Sequence, residues 1–164
     1  MTDFSAQDHE EVFDWTPHLK LFIDKDGAWF QNGAQIIHPE IYLLFNQMLE
    51  KDLDGGYQVR LGREVCRVQV EDAPFVVQRV GEDEEDRLYL ELNDKTREPF
   101  DPERFWIGEE NVPYIKVKNG SFHARFSRPA YYQLAKHIEA DEREESFFFV
   151  FHGNRVPVKR SGKC

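Results

Sequence analysis

Glu64, Glu71 and Asp72 are the carboxylates that a hydrolase or transferase built on this chain would use. Glu64 and Glu71 bracket a stretch that alternates like a strand and, seven residues apart, point to opposite faces by its period of two. They cannot flank one substrate as acid and base unless a bulge intervenes, and Asp72 shares the parity of Glu64. The stronger reading has Glu71 and Asp72 anchoring backbone N–H groups ahead of Pro74, the usual work of acids beside a turn.

The arginines suggest a different chemistry. Arg60 and Arg67 fall on the polar faces of adjacent strand patterns, and His123, Arg125 and Arg155 fall on corresponding faces later in the chain. Arg128 stands just before a helix start, where unbonded N–H groups favour an anion. Guanidinium forks suit phosphate or carboxylate, so a collected basic face would be a local exception in an acidic protein. Trp29 and Tyr132 are the rings that could stack a base, with core packing as the competing role for both. The candidate ligand-binding set is therefore Arg60, Arg67, Glu71, Asp72, Arg125, Arg128, Tyr132 and Trp29, for a small anionic ligand, with solvated surface as the plain alternative for the arginines.

No catalytic residue, cofactor or metal site is assigned. Ser121 lies two residues from His123, but no glycine elbow surrounds the serine. Cys66 sits on the apolar side of its strand pattern and reads as a small core residue. The six histidines show no HxH, HxxxH or HExxH spacing. The acidic run Gly81-Glu82-Asp83-Glu84-Glu85-Asp86 lacks the alternating oxygen ligands of a calcium loop and reads as a solvated hairpin loop.

Charge and length bound the remaining classes. The chain has 164 residues, with 21 Lys plus Arg against 31 Asp plus Glu and a net charge of -10, which speaks against a grip on duplex nucleic acid. Its apolar runs (IYLLF, FFFVF) are far short of the roughly 20 residues that span a bilayer, and two cysteines make no disulfide framework, so a cytoplasmic protein without a membrane partner is expected.

The elements that must position these residues read clearly. Leu19, Leu21 and Ile23 alternate with polar neighbours, Asn32-Gly33 marks a hairpin, and Pro39 opens a helix with an apolar stripe of Ile41, Leu44, Phe45, Met48 and Leu49 that ends near Asp54-Gly55-Gly56. Tyr57, Val59 and Leu61, then Cys66, Val68 and Val70, give two further strands. Residues 75–80 and 88–92 form a hairpin, and 93–111 read as an irregular connector anchored by Phe105, Trp106 and Ile107. The second half repeats the order, with Asn119-Gly120, strands on either side, and a helix after Arg128-Pro129 carrying Tyr131, Leu134, Ala135 and Ile138. An offset of 90 relates Pro39 to Pro129, Tyr42 to Tyr132, Leu44 to Leu134 and Val68 to Val158, with the second hairpin three residues longer. The expected fold is α+β, a duplicated strand-strand-helix-strand-strand unit with antiparallel sheets. Its divisions are 15–74 for the first unit, 75–112 for hairpin and connector, 113–160 for the second unit, and frayed termini at 1–14 and 161–164. The run Ser146-Phe147-Phe148-Phe149-Val150-Phe151 breaks alternation, so both faces of that strand must be covered, and a homo-oligomer through 147–151 is one way to cover the second.

Several of these pieces together resemble a bacterial family, the domain of unknown function numbered 1285. The resemblance rests on Asp26-Gly27-Ala28-Trp29, on Glu64-Val65-Cys66-Arg67-Val68 leading into Val70-Glu71-Asp72-Ala73-Pro74-Phe75, and on Pro113-Tyr114-Ile115 and Ala124-Arg125-Phe126 with Tyr132. It covers roughly 15–159, and the VEDAPF run is its most distinctive part. The chain departs from the family where Leu61-Gly62-Arg63 replace a Thr-Pro pair ahead of Glu64. The resemblance implies a duplicated core, a second half loosely like a pleckstrin-homology fold, a cleft between the halves for a nucleotide-like ligand, and a signalling role. Three readings follow: a non-enzymatic ligand-binding or regulatory module; a hydrolase or transferase using Glu64, Glu71 or Asp72; and a structural or protein-interaction domain without a ligand.

Overall fold

A computed structural model describes residues 19–143 and 145–160. The chain divides into two compact units, Met1–Asp72 and Ala73–Cys164. The described residues are mostly β-sheet with two α-helices, an α+β chain.

In the first unit, β1 (Leu21–Ile23), β2 (Trp29–Gln31) and β3 (Ala34–Gln35) form a meander, followed by α1 (Pro39–Met48) and then β4 (Leu49–Lys51), β5 (Tyr57–Leu61) and β6 (Glu64–Val70). The sheet order is β3-β2-β1-β6-β5-β4. Asn32 and Gly33 take φ of 50° and 88°, the left-handed turn that the Asn-Gly pair predicts between β2 and β3. Alternation sends Leu21, Ile23, Trp29, Val59, Cys66 and Val68 into the core, all at most 5% exposed.

The sheet is not purely antiparallel. β1 runs parallel to β6, with Leu21 beside Val68 and Ile23 beside Val70. A parallel neighbour needs a crossover, and the chain from β2 through β5, with α1 inside it, is long enough to make one. The helix also stops earlier than its apolar stripe suggests. Leu49 leaves helical geometry (φ -64°, ψ 132°) because Leu49, Glu50 and Lys51 pair with Val59, Gln58 and Tyr57 as β4. Of the stripe, Ile41 and Leu44 remain 40% and 49% exposed.

The second unit adds a three-strand meander in front of the same kind of element. Its strands are β7 (Phe75–Glu82), β8 (Leu88–Leu92), β9 (Arg97–Pro99), β10 (Phe105–Ile107), β11 (Pro113–Val117) and β12 (Phe122–Phe126). After α2 (Arg128–Ala135) come β13 (Ile138–Asp141), β14 (Ser146–Phe151), β15 (Asn154–Pro157) and β16 (Lys159–Arg160). One sheet has the order β16-β10-β11-β12-β7-β8-β9, and β13-β14-β15 make another. β12 pairs parallel with β7, and β10 pairs parallel with β16. α2 packs on β7, where the Gln133 side-chain oxygen accepts the Val80 N–H at 2.8 Å.

Two expectations change here. Phe105, Trp106 and Ile107 are not anchors of an irregular connector but the strand β10, flanked by 3-10 turns at Pro102–Arg104 and Glu109–Asn111. Three residues show too little alternation to reveal a strand by period. The Phe run is covered differently too: only Phe149 is fully buried, Phe147 is 49% exposed, and the Arg155 guanidinium lies 3.6 Å from the centre of the Phe148 ring.

The registers of the two units correspond strand for strand. Phe22 pairs with Phe30 and Ile23 with Trp29 in the first; Trp106 pairs with Tyr114 and Ile107 with Pro113 in the second, each residue 84 further on. Gln31 faces Ala34 and Ile115 faces Ala124, so at β12 the offset is 90 and the inserted turn is six residues, not three; Leu49 faces Val59 and Ile138 faces Phe149, so β13 stands at 89. Val59 faces Cys66 and Phe149 faces Val156, both shifted by 90. The parallel closure repeats as well, Ile23 beside Val70 and Ile107 beside Arg160.

Candidate functional site

Within the first unit, strand pairing sets Arg67 directly opposite Gln58, two residues along from Arg60. Both arginines are already engaged. Arg60 Nη2 lies 2.9 Å from Glu50 Oε2, which also accepts the Gln58 amide at 2.7 Å, and Arg67 Nη1 lies 3.5 Å from Asp52 Oδ2. The Gln58 bond, with the Arg60 charge behind it, holds the Glu50 carboxyl below its ordinary range. This face is therefore a mixed-charge network in which carboxylates answer the guanidinium groups, not a basic wall, and exposed pairs of this kind contribute little stability.

The other first-unit candidates divide as follows. Glu71 Oε1 accepts the Lys25 N–H at 2.9 Å, tying the end of β6 to the β1–β2 turn, and this is the backbone-anchoring role set against catalysis. Asp72, the next residue, is half-buried at the end of the unit, while Glu64 opens β6 opposite Leu61. Trp29 gives no stacking face: it is 1% exposed, its Nε1 donates to Asn46 Oδ1 at 2.7 Å, and its ring lies 5.4 Å from that of Phe45. A β2 residue beside Ile23 points inward by alternation, which is why the indole fills the core. Cys66 is fully buried, and burial first and the Glu64 charge second push its thiol up, away from nucleophilic character.

Within the second unit, Arg125 is half-buried on β12 opposite Tyr114, and Arg128 begins α2. The helix N-terminus is capped by Ser127, whose hydroxyl accepts the Ala130 N–H at 3.3 Å. Tyr132 lies one turn beyond Arg128 and is 64% exposed, so these two share the outer side of the helix.

The inner side of the same helix borders a pocket of about 790 Å³, within the usual range for small-molecule sites. Tyr131 and Ala135 of α2, Ile138 and Ala140 of β13, Ser146 and Phe147 of β14, Val158, and Ile107 of β10 line it. Arg160, Asn111 and Glu145 supply its charged and amide groups. Arg160 Nη1 donates to Asn111 Oδ1 at 3.0 Å, a neutral partner that leaves the guanidinium charge uncompensated in that bond. Arg160 looks in the sequence like part of a short basic tail. Its place at offset 90 from Val70, at the end of the corresponding strand, is the signal that could have drawn it into the site.

One buried charge lies away from this pocket. Asp94, with its side chain 2% exposed, binds Lys118 Nζ at 2.6 Å and accepts the Thr96 hydroxyl at 2.5 Å. Burial pushes the Asp94 carboxyl up, but the Lys118 and Thr96 bonds outweigh it and hold the group below its usual range. Lys118 also donates its backbone N–H to Glu98 at 2.8 Å and sits over the Phe75 ring, so the cluster ties the β8–β9 turn to the β11–β12 turn.

The fold is thus an α+β arrangement of two mostly antiparallel units. No family model matches the chain, and no curated protein matches it. Among solved structures, a DUF1285 family protein from Silicibacter pomeroyi DSS-3 is similar with a TM-score of 0.67 and 23% identity, over 86% of this chain and 80% of that one. A DUF1285 family protein from Shewanella baltica OS155 is similar with a TM-score of 0.60 and 21% identity, over 74% of this chain and 94% of that one. The chain resembles the DUF1285 family, and at these identities the likeness is one of fold.

Proposed function

We propose that the protein is a non-enzymatic module that binds a small anionic ligand, built from two copies of one six-strand, one-helix unit. The copied registers support the duplication, because a shared pairing pattern through six strands and a parallel closure is hard to reach by two unrelated routes. The observation that carries the binding reading is the second unit's pocket, which combines apolar walls with the Arg160 guanidinium. The nucleotide-like ligand and signalling role implied by the resemblance belong to this same class, a small anion read by a protein that does not transform it.

The test is a thermal-shift screen of the whole protein against nucleotides, phosphorylated metabolites and organic carboxylates. A ligand at a hundred times its dissociation constant stabilises by about 2.7 kcal/mol, which a small domain registers as a rise of several degrees. A shift with any of these classes supports the module; no shift with any of them overturns it in favour of a ligand-free interaction domain.

A further inference from the structure

The corresponding registers allow the two units to be compared position by position, and the comparison bears on what the pocket holds. Four pocket-lining residues have buried counterparts in the first unit: Ile107 matches Ile23, Ala135 matches Asn46, Ile138 matches Leu49 and Val158 matches Val68. In the first unit this space is filled from within. Trp29 and Phe45 pack ring against ring at 5.4 Å, and Asn46 satisfies the indole N–H. In the second unit Pro113 stands at the position of Trp29, Leu134 at that of Phe45 and Ala135 at that of Asn46. Both rings and the polar partner are gone, and a pocket of about 790 Å³ lies against Ala135 and Ile107. A third exchange puts Arg160 where the first unit has Val70, so the missing rings coincide with a gained cation.

We propose that the second-unit pocket takes an aromatic carboxylate: a ring beside Ile107 and Ala135, whose counterparts Ile23 and Asn46 flank Trp29 in the first unit, and a single negative charge on Arg160. This rests on the binding reading above and names its ligand class. The Tyr131 and Phe147 rings in the wall suit an aromatic guest by offset or edge contacts. A planar carboxylate matches the guanidinium fork. Glu145 also lines the pocket, and its charge opposes a doubly charged phosphate more than it opposes a monoanion.

Calorimetric titration of the whole protein with 3-phenylpropionate, indole-3-acetate, octanoate and adenosine monophosphate tests this, together with the variants Ala135→Phe and Arg160→Gln. The two aromatic acids should bind the unaltered protein at least tenfold tighter than octanoate or the nucleotide. Ala135→Phe, which puts a ring into the pocket itself, should abolish that binding and raise the melting temperature of the free protein. Arg160→Gln, on an exposed side chain, should weaken binding at least tenfold and leave the melting temperature unchanged. Preference for octanoate or the nucleotide, lost in Ala135→Phe, would overturn the aromatic class while the pocket reading stands. Binding of the aromatic acids unaffected by both variants would overturn the site, and no binding by any of the four would overturn the pocket reading with it.

Discussion

Trp29 Nε1 donates to Asn46 Oδ1 at 2.7 Å inside the first unit, where the two residues are 1% and 3% exposed. Asn46 is thus a buried polar residue on a helix whose other inward neighbours are apolar, and it is held there by the indole. Asn46→Ala leaves that N–H unsatisfied and should cost about 1–3 kcal/mol. Urea unfolding should show a lower midpoint with an unaltered slope, and Trp29→Phe combined with Asn46→Leu should recover part of the loss.

Lys118→Met should destabilise the second unit by about 3–5 kcal/mol, because it strands the buried Asp94 carboxylate without its cation. The double variant with Asp94→Asn should be more stable than Lys118→Met alone. A double-mutant cycle by chemical denaturation measures the coupling.

The same carboxylate gives a pH signature. Its folded pKa is depressed below the ordinary value, which is about 3.9 for an unfolded aspartate. The stabilisation is therefore complete well above pH 4 and is lost as pH falls through that value towards the folded pKa. Unfolding free energies of the wild type and Asp94→Asn, measured from pH 7 to pH 3, should converge on the acid side.

Phe149 is fully buried, edge-on to Phe100 and Phe105 at 5.3 and 5.2 Å, and stacked with Phe151 at 5.7 Å. Phe149→Ala should cost about 3–5 kcal/mol, whereas Arg60→Ala, which removes only an exposed ion pair, should stay within about 0.5 kcal/mol. Thermal unfolding of the two variants side by side checks the contrast.

Much of this fold is legible in residue order because local chemistry decides it. Leu21 and Ile23 alternate into the core, Asn32-Gly33 takes its left-handed turn, and Pro39 and Pro129 sit in the first turn of their helices. The parts that depend on distant partners are not legible in this way. β4 begins at Leu49 only because β5 returns beside it, and β10 is a strand only because β11 and β16 flank it. The site followed the same rule. Arg60 and Arg67 look like a basic face until Glu50 and Asp52 arrive from β4 and its turn. Arg160 looks like a tail until β16 pairs with β10 beside the pocket.

Binding of a small anion inside the second unit is tested by amide and methyl NMR of the labelled protein titrated with the best ligand from the thermal-shift screen. Saturable shifts centred on Ile107, Ala135, Ile138, Val158 and Arg160, the residues around the pocket, are expected. Shifts confined to Arg60, Arg67 and their carboxylate partners, with the Ala135 and Val158 methyl signals unmoved at saturation, would contradict it.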